Sequence, residues 1–400
     1  MTRRERFLAA IAGVLPDRVP VSPDTSNYIP AKRTGLPFWD IYFYNKIPLW
    51  KAYLDVADYF DFEAWNCSCG VHVFETSNDN VESIHEDRYD ESQDAMIRHT
   101  TVRTPDGELT GSKTCFRGDP PSPTEKFIKD FDRDWPAFRH LLQEPTGLNM
   151  DTLEQARAET LGRDQAFGVS VGYPGFHHWF VHVDGGLEQL TMAWMDQPRY
   201  LDEWFDRSFA MGTKGLEMLL ALDQKPDYVF LGGSGTITMA SPELARRYAL
   251  PAIQRWSKMA KDAGVPTLLH SCGKSMPLLK MVAEETDLDM INPLESPPMG
   301  DVHLDEAKRK FGDRIGLMGN LHTTDIMLHA TPEQVTRAAL EAMRDAGQGG
   351  RFNLSTGDQC GRETPDDNLF GLVEAARTYG IYEPDGTLPR VAEALAALGG

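Results

Sequence analysis

A chain of 400 residues with 60 acidic and 40 basic side chains carries a formal net charge of −20, which repels phosphate backbones and anionic membrane surfaces and speaks against a nucleic-acid or membrane partner. It has no 18-residue apolar run, and its opening MTRRERFLAAIAG is too short in its apolar part for a secretory leader, so the expectation is a soluble, cytoplasmic protein. The five cysteines, at 67, 69, 115, 272 and 360, are odd in number and sparse, unlike a secreted disulfide framework, and fit reduced thiols, free or on a metal.

Short apolar runs alternate with longer amphipathic stretches, the pattern of parallel strands joined by crossover helices. In chain order the predicted strands are RVPVS (18–22), YFDFEAW (59–65), AFGVSVG (166–172), DYVFLGG (227–233), PTLLH (266–270), LDMIN (288–292), RIGLMG (314–319) and RFNLSTG (351–357). Helical patterns fall at 187–197, 200–222, 242–263, 275–286, 303–311 and 332–346. SPEL and TPEQ supply start signals there: a Ser or Thr cap, then Pro, then Glu. Eight strands with helical connections predict an α/β fold, a (β/α)₈ TIM barrel, and one barrel core can occupy all of residues 1–400.

One region breaks the rhythm. MIRHTTVRTPDGELTGSKTCF alternates in polarity around an Asp-Gly turn, which predicts a β-hairpin. With the Pro-rich and charged residues that follow, it forms an expected insertion over 72–165, between barrel strands two and three. The tail PDGTLPRVAEALAALGG reads as a final peripheral helix.

The chemistry-bearing residues cluster at predicted strand ends. His270 closes the fifth strand and Cys272 stands two positions on, so on extended backbone both point to one side. Cys360 follows the eighth strand in STGDQCGRETPDDNL. Barrel enzymes build their sites at the C-terminal ends of strands, where one His and two Cys would leave a fourth position open on a tetrahedral zinc. A buried imidazole beside a small packed thiol is the competing reading. Cys67 and Cys69, in WNCSCG, repeat the i, i+2 geometry as a second thiol site or as small residues at a crowded strand end.

YPGFHHWFVH (173–182) follows strand three with three histidines and four aromatic residues. It reads either as a ligand-pocket wall, with Tyr173, His177 and His178 as candidate cofactor-binding residues, or as an aromatic rim. GGSGT after strand four lacks the spacing of a phosphate cradle. Glu295 and Asp358 are the carboxylates placed to approach the site, and Asn320 and His322 follow strand seven. Glu295, Asn320 and His322 are the catalytic candidates, each also readable as a supporting rim residue.

These segments resemble a known family. LLHSCGK, GLMGNLHTTDIMLHATPEQV, STGDQCGRETPDDNL and the N-terminal RRERFLAAIAGVLPDRVPV are similar to the uroporphyrinogen decarboxylase superfamily, specifically its cobalamin-dependent methyltransferase branch. The resemblance implies a (β/α)₈ barrel, a Zn²⁺ held by His270, Cys272 and Cys360, and methyl transfer to or from the cobalt of a corrinoid. The corrinoid signature Asp-x-His-x-x-Gly is incomplete here: DVHLDE has Glu306 where glycine is required. The cobalamin is therefore expected on a separate corrinoid protein, with a small thiol acceptor or a methoxylated or methylated donor as the other partner. SPDTSNYIPAK, after the first strand, lacks the arginine cluster of the true decarboxylases, which speaks against that activity; a metal-free decarboxylase-like enzyme or a non-catalytic barrel is the alternative.

Overall fold

The computed structural model describes residues 1–65, 71–77 and 79–398. Cys67 and Cys69 lie outside the described residues. A short pair, β1 (Phe74–Glu75) with β6 (Gly147–Leu148), brackets an antiparallel sheet of β2 (Glu82–Asp90), β3 (Ala95–Thr104), β4 (Gly107–Phe116) and β5 (Ser122–Glu125). The expected turn joins β3 to β4 at Pro105–Asp106. The alternation was read as one hairpin, and the structure extends it by a strand on each side.

Six parallel strands follow in sequential order: β7 (Gly168–Gly172), β8 (Tyr228–Gly232), β9 (Thr267–His270), β10 (Met290–Asn292), β11 (Gly316–Leu321) and β12 (Phe352–Thr356). Strands such as YVFLG and TLLH are nearly continuously apolar because helices cover one face and the barrel interior the other. Phe7, Trp65, Phe230, Leu268, Met290 and Met318 pack together inside, while a larger cluster fills the space between strands and helices. No helix among the described residues is long and apolar enough to cross a membrane.

The other two expected strands are extended segments, and they sit between the ends of the ladder. Ser22 N–H donates to Leu354 O and Leu354 N–H to Pro20 O, at 2.8 and 2.9 Å, and Glu63 N–H donates to Val21 O at 3.0 Å. On the far side, Gln165 joins 62–65 to the entry of β7: its Oε1 accepts from Ala64 N–H at 2.8 Å and its Nε2 donates to Phe62 O at 3.0 Å. The Tyr228 hydroxyl reaches Trp65 O. Eight extended segments therefore make the α/β barrel wall, six of them in one ladder.

Two boundaries differ from expectation. Tyr59 and Phe60 end the helix Leu49–Phe60, which Asp61 stops by adopting a left-handed φ of 60°. The helical stretch 242–263 is two helices, Pro242–Tyr248 and Leu250–Asp262, because Pro251 offers no N–H and its ring opposes the carbonyl four residues back.

The base of the barrel is tied by charge. Buried Glu63 accepts from Arg6 and Arg18, both at 2.7 Å, and from Val21 N–H at 2.8 Å. The N-terminal helix Arg3–Ala12, fixed by a Thr2/Glu5 capping box, thereby plugs the bottom and leaves the C-terminal mouth free for chemistry.

Candidate metal centre and adjoining cavities

β9 delivers His270 to the mouth, where Asn292 of β10 and Gly232 of β8 are its register partners. Residues in register share a face, so the Asn292 side chain meets the imidazole: Nδ1 lies 3.2 Å from Asn292 Oδ1. A carboxamide oxygen only accepts, so Nδ1 carries the proton and Nε2 keeps its lone pair. Nε2 is 3.8 Å from Asp358 Oδ1. One ligand atom each from His270, Cys272 and Asp358 lies within 4.8 Å of the others.

Cys360 is placed differently from the expected His270, Cys272, Cys360 trio, since its sulfur is not part of that converging group. Its N–H is bound to Asp24 O at 2.8 Å, and the fully buried thiol faces Thr356, Thr364 and Asp24. Asp358, two residues earlier, adopts a φ of 102° and stands where the third donor was expected.

Negative groups crowd this point. Burial pushes the Cys272 thiol up to about 12, and the Asp358 and Glu295 carboxylates add to the shift. Burial and then Asp358 raise Asp24. Glu295 is raised by burial and Asp358, opposed by the Gly273 N–H that donates to its Oε1. Cys360 is raised by burial and by Asp24. Two thiols and three carboxyls around one imidazole are a donor set that a divalent cation would relieve, with one nitrogen and one sulfur already converged as borderline-soft zinc prefers. The residues fit the ion.

A polar cavity of about 320 Å³ adjoins His270 and Asp358, bounded also by Asp24, Asn27, Trp65 and Phe230. The Trp65 indole N–H is buried and has no acceptor among the described residues. Among the described residues no arginine or lysine lines the cavity. A second, mainly apolar cavity of about 350 Å³ lies beside it, and His178 lines both.

The other candidates divide. Tyr173 is fully buried, its hydroxyl 3.1 Å from Gly233 O and 2.7 Å from Thr236 Oγ1, so it braces the loop after β8 and offers no phenol to the polar cavity. His177 is also buried, its Nε2 without a partner among the described residues, and burial, then neighbouring His178, holds its pKa well below the usual imidazole value. His178 alone of these three borders the polar cavity, its Nδ1 2.8 Å from Tyr173 O. Asn320 and His322 are not brought to His270. Asn320 Nδ2 donates to Leu294 O at 2.9 Å. His322 Nδ1 accepts the amides of Thr324 and Asp325, at 3.2 and 3.0 Å, capping the π-helical turn Thr323–Leu328. Sequence reasoning missed Asp24, Asn292 and Trp65. The one available signal was position: each ends or follows a barrel strand.

Residues 189–379 match the family model described as uroporphyrinogen decarboxylase (URO-D). The chain is 28% identical over 201 residues to the methylcobamide:CoM methyltransferase MtbA of Methanosarcina acetivorans, covering 50% of this chain and 52% of that protein. It is 34% identical over 76 residues to uroporphyrinogen decarboxylase of Coxiella burnetii, covering 19% and 20%. These alignments thus span a fifth to about half of the curated relatives' lengths. A solved methyltransferase from Methanosarcina mazei shares the fold, with a TM-score of 0.61 and 19% identity over 94% of this chain and 98% of that one. Over part of its length, and in its barrel, the chain is thus similar to the uroporphyrinogen decarboxylase superfamily, including its methylcobamide:CoM methyltransferases.

Proposed function

We propose that this protein is a zinc-dependent methyltransferase that moves a methyl group between a corrinoid carried by a separate protein and a small thiol or methylated heteroatom. The convergence of His270, Cys272 and Asp358 donor atoms within 4.8 Å, at the mouth of a barrel similar to those of this superfamily, carries the reading. His270 and Cys272 would hold the ion, with Cys360 as the second thiolate and Asp358 as the exchangeable oxygen donor. A zinc bound there supplies a Lewis acid that keeps a thiol deprotonated at neutral pH or polarises the heteroatom bearing the methyl group.

This chain's own residues do the positioning. Asn292 fixes the imidazole so that Nε2 presents its lone pair. Glu295, tied to Gly273 and raised by burial, is a carboxyl suited to hold the proton a thiol gives up or a leaving group needs. Trp65 and Phe230 close the polar cavity with apolar surface and limit water. Decarboxylation of a polycarboxylate is the poorer reading, because Asp24 and Asp358 line this cavity and, among the described residues, no arginine or lysine does.

Metal analysis of the purified protein beside Cys272→Ala and Cys360→Ala tests the proposal. About one zinc per chain in the parent, lost in both variants, is expected, together with methyl transfer from methylcobalamin that fails in the same variants. A parent without metal, or transfer surviving both substitutions, overturns it.

A further inference from the structure

The second cavity is not a packing flaw in scale. Its volume of about 350 Å³ falls at the small end of the ~300–1,000 Å³ range of small-molecule ligand pockets. It lies between the C-terminal end of β7, the helix Pro198–Leu220 and the inserted region. Phe74, Phe138, Leu142, Trp179, Trp204 and Met211 are the large apolar side chains of its wall. The aromatic members are fixed by one another: Trp179 stacks on Trp204 at 5.1 Å and Phe138 meets Trp204 edge-on at 4.9 Å. Such a wall is rigid and suits a flat ring.

Its polar points are uncharged. No aspartate, glutamate, lysine or arginine lines it among the described residues. Its two imidazoles are kept neutral: burial lowers His178, and burial, with Lys113 and the other neighbours adding, lowers His182 to about 4. An anionic ligand finds no counter-charge here, nor in the polar cavity, whose lining is acidic.

The two cavities meet at one side chain. His178 borders both, held by its Nδ1 on Tyr173 O at 2.8 Å. Its ring rests over Gly172, where a Cβ would stand 3.1 Å from Cε1. Gly172 lines the apolar cavity, and its register partner Gly232 lines the polar one. At their junction an imidazole thus rests over side-chain-free Gly172, with Gly232 beside it on the next strand.

We propose that the apolar cavity binds the ring of a neutral aromatic substrate whose methylated heteroatom passes His178 into the polar cavity. The inference rests on the methyltransferase reading for the methyl group alone. The preference for an uncharged ring follows from the wall.

Methoxybenzene is the probe, measured by isothermal titration calorimetry on the full chain, as purified and after chelator treatment. Met211→Trp and the gentler Ser208→Leu each put bulk into the cavity from the helix Pro198–Leu220, and circular dichroism and the Tm verify their folding. Submillimolar binding to the parent is expected, at least tenfold weaker in whichever filled variants keep a parent-like Tm, with no displacement by 2-mercaptoethanesulfonate. Absence of binding to the parent, undiminished affinity in a folded filled variant, or displacement by the sulfonated thiol overturns the proposal. Binding that survives chelation while the parent proves to lack zinc would sink the metal reading and leave this one standing.

Discussion

Nδ1 of His270 donates a hydrogen bond to Oδ1 of Asn292 at 3.2 Å, across adjacent strands in register. The bond settles which ring nitrogen faces the mouth. Outer hydrogen bonds to a ligating imidazole commonly contribute 10- to 100-fold in metal affinity. Asn292→Ala is therefore expected to weaken zinc binding by about that factor while leaving Cys272 in place, as read by competition with a chromophoric chelator. Unchanged affinity would show that the carboxamide does not orient the ligand.

Asp358 and Cys360 should separate by spectroscopy. X-ray absorption of the zinc-loaded parent is expected to show two sulfurs with nitrogen and oxygen. Cys360→Ala should remove one sulfur and most of the affinity. Asp358→Ala should keep both sulfurs and change only the light-atom shell. A single sulfur in the parent would leave Cys360 as the packed interior thiol it resembles in this structure.

Acid sensitivity should trace in part to the histidine-aromatic segment. An unfolded imidazole protonates near pH 6.5, whereas folded His182 resists until about pH 4. Between those values the unfolded chain binds more protons, so stability falls as pH drops, by about 1.4 kcal/mol per unit for this ring, and the loss is absent above pH 6.5. Raised carboxyls such as Glu295 and Asp24 act in the opposite direction. The difference between parent and His182→Gln in urea midpoints from pH 7 to 4.5 isolates the ring's share. Parallel pH profiles would refute the assignment.

Removing Glu63 should cost more than any surface ion pair. Its carboxylate is fully buried between Arg6 and Arg18, and deleting one partner of a buried charge cluster typically costs 3–5 kcal/mol. Glu63→Ala should show a loss of about that size in chemical denaturation. The exposed Lys258–Asp262 pair, by comparison, should be worth under about 1 kcal/mol.

How far the chain could be read in advance follows from what each signal encodes. Strands such as YVFLG announced themselves because burial on two faces demands unbroken apolar residues. The segments 18–22 and 59–65 were located as barrel wall, but only the folded chain shows the backbone bonds of 20–22 and the Gln165 and Tyr228 side chains that tie their described residues to it. HSC gave away a histidine and a thiol on one face because period-two geometry is local. The third converging donor could not be read that way: Asp358 and Cys360 are both plausible at two-residue spacing, and a left-handed φ at Asp358 separates them. Asn320 and His322 were expected just past strand seven; Asn320 lies inside β11 and His322 just beyond it, and their side chains bond backbone groups of Leu294 and of the turn Thr323–Leu328. The sequence could not show this, because loop hydrogen bonds follow from the folded path.

Between 62–65 and the entry of β7, Gln165 and Tyr228 cross from one segment to the next by side-chain bonds. A ladder opens cooperatively, whereas a carboxamide or a phenol lets go by turning about its own bonds. These side-chain bonds therefore give the wall a point that can loosen without a strand pair parting. Gln165→Ala should speed deuterium exchange at the Ala64 amide, whose N–H the carboxamide oxygen holds.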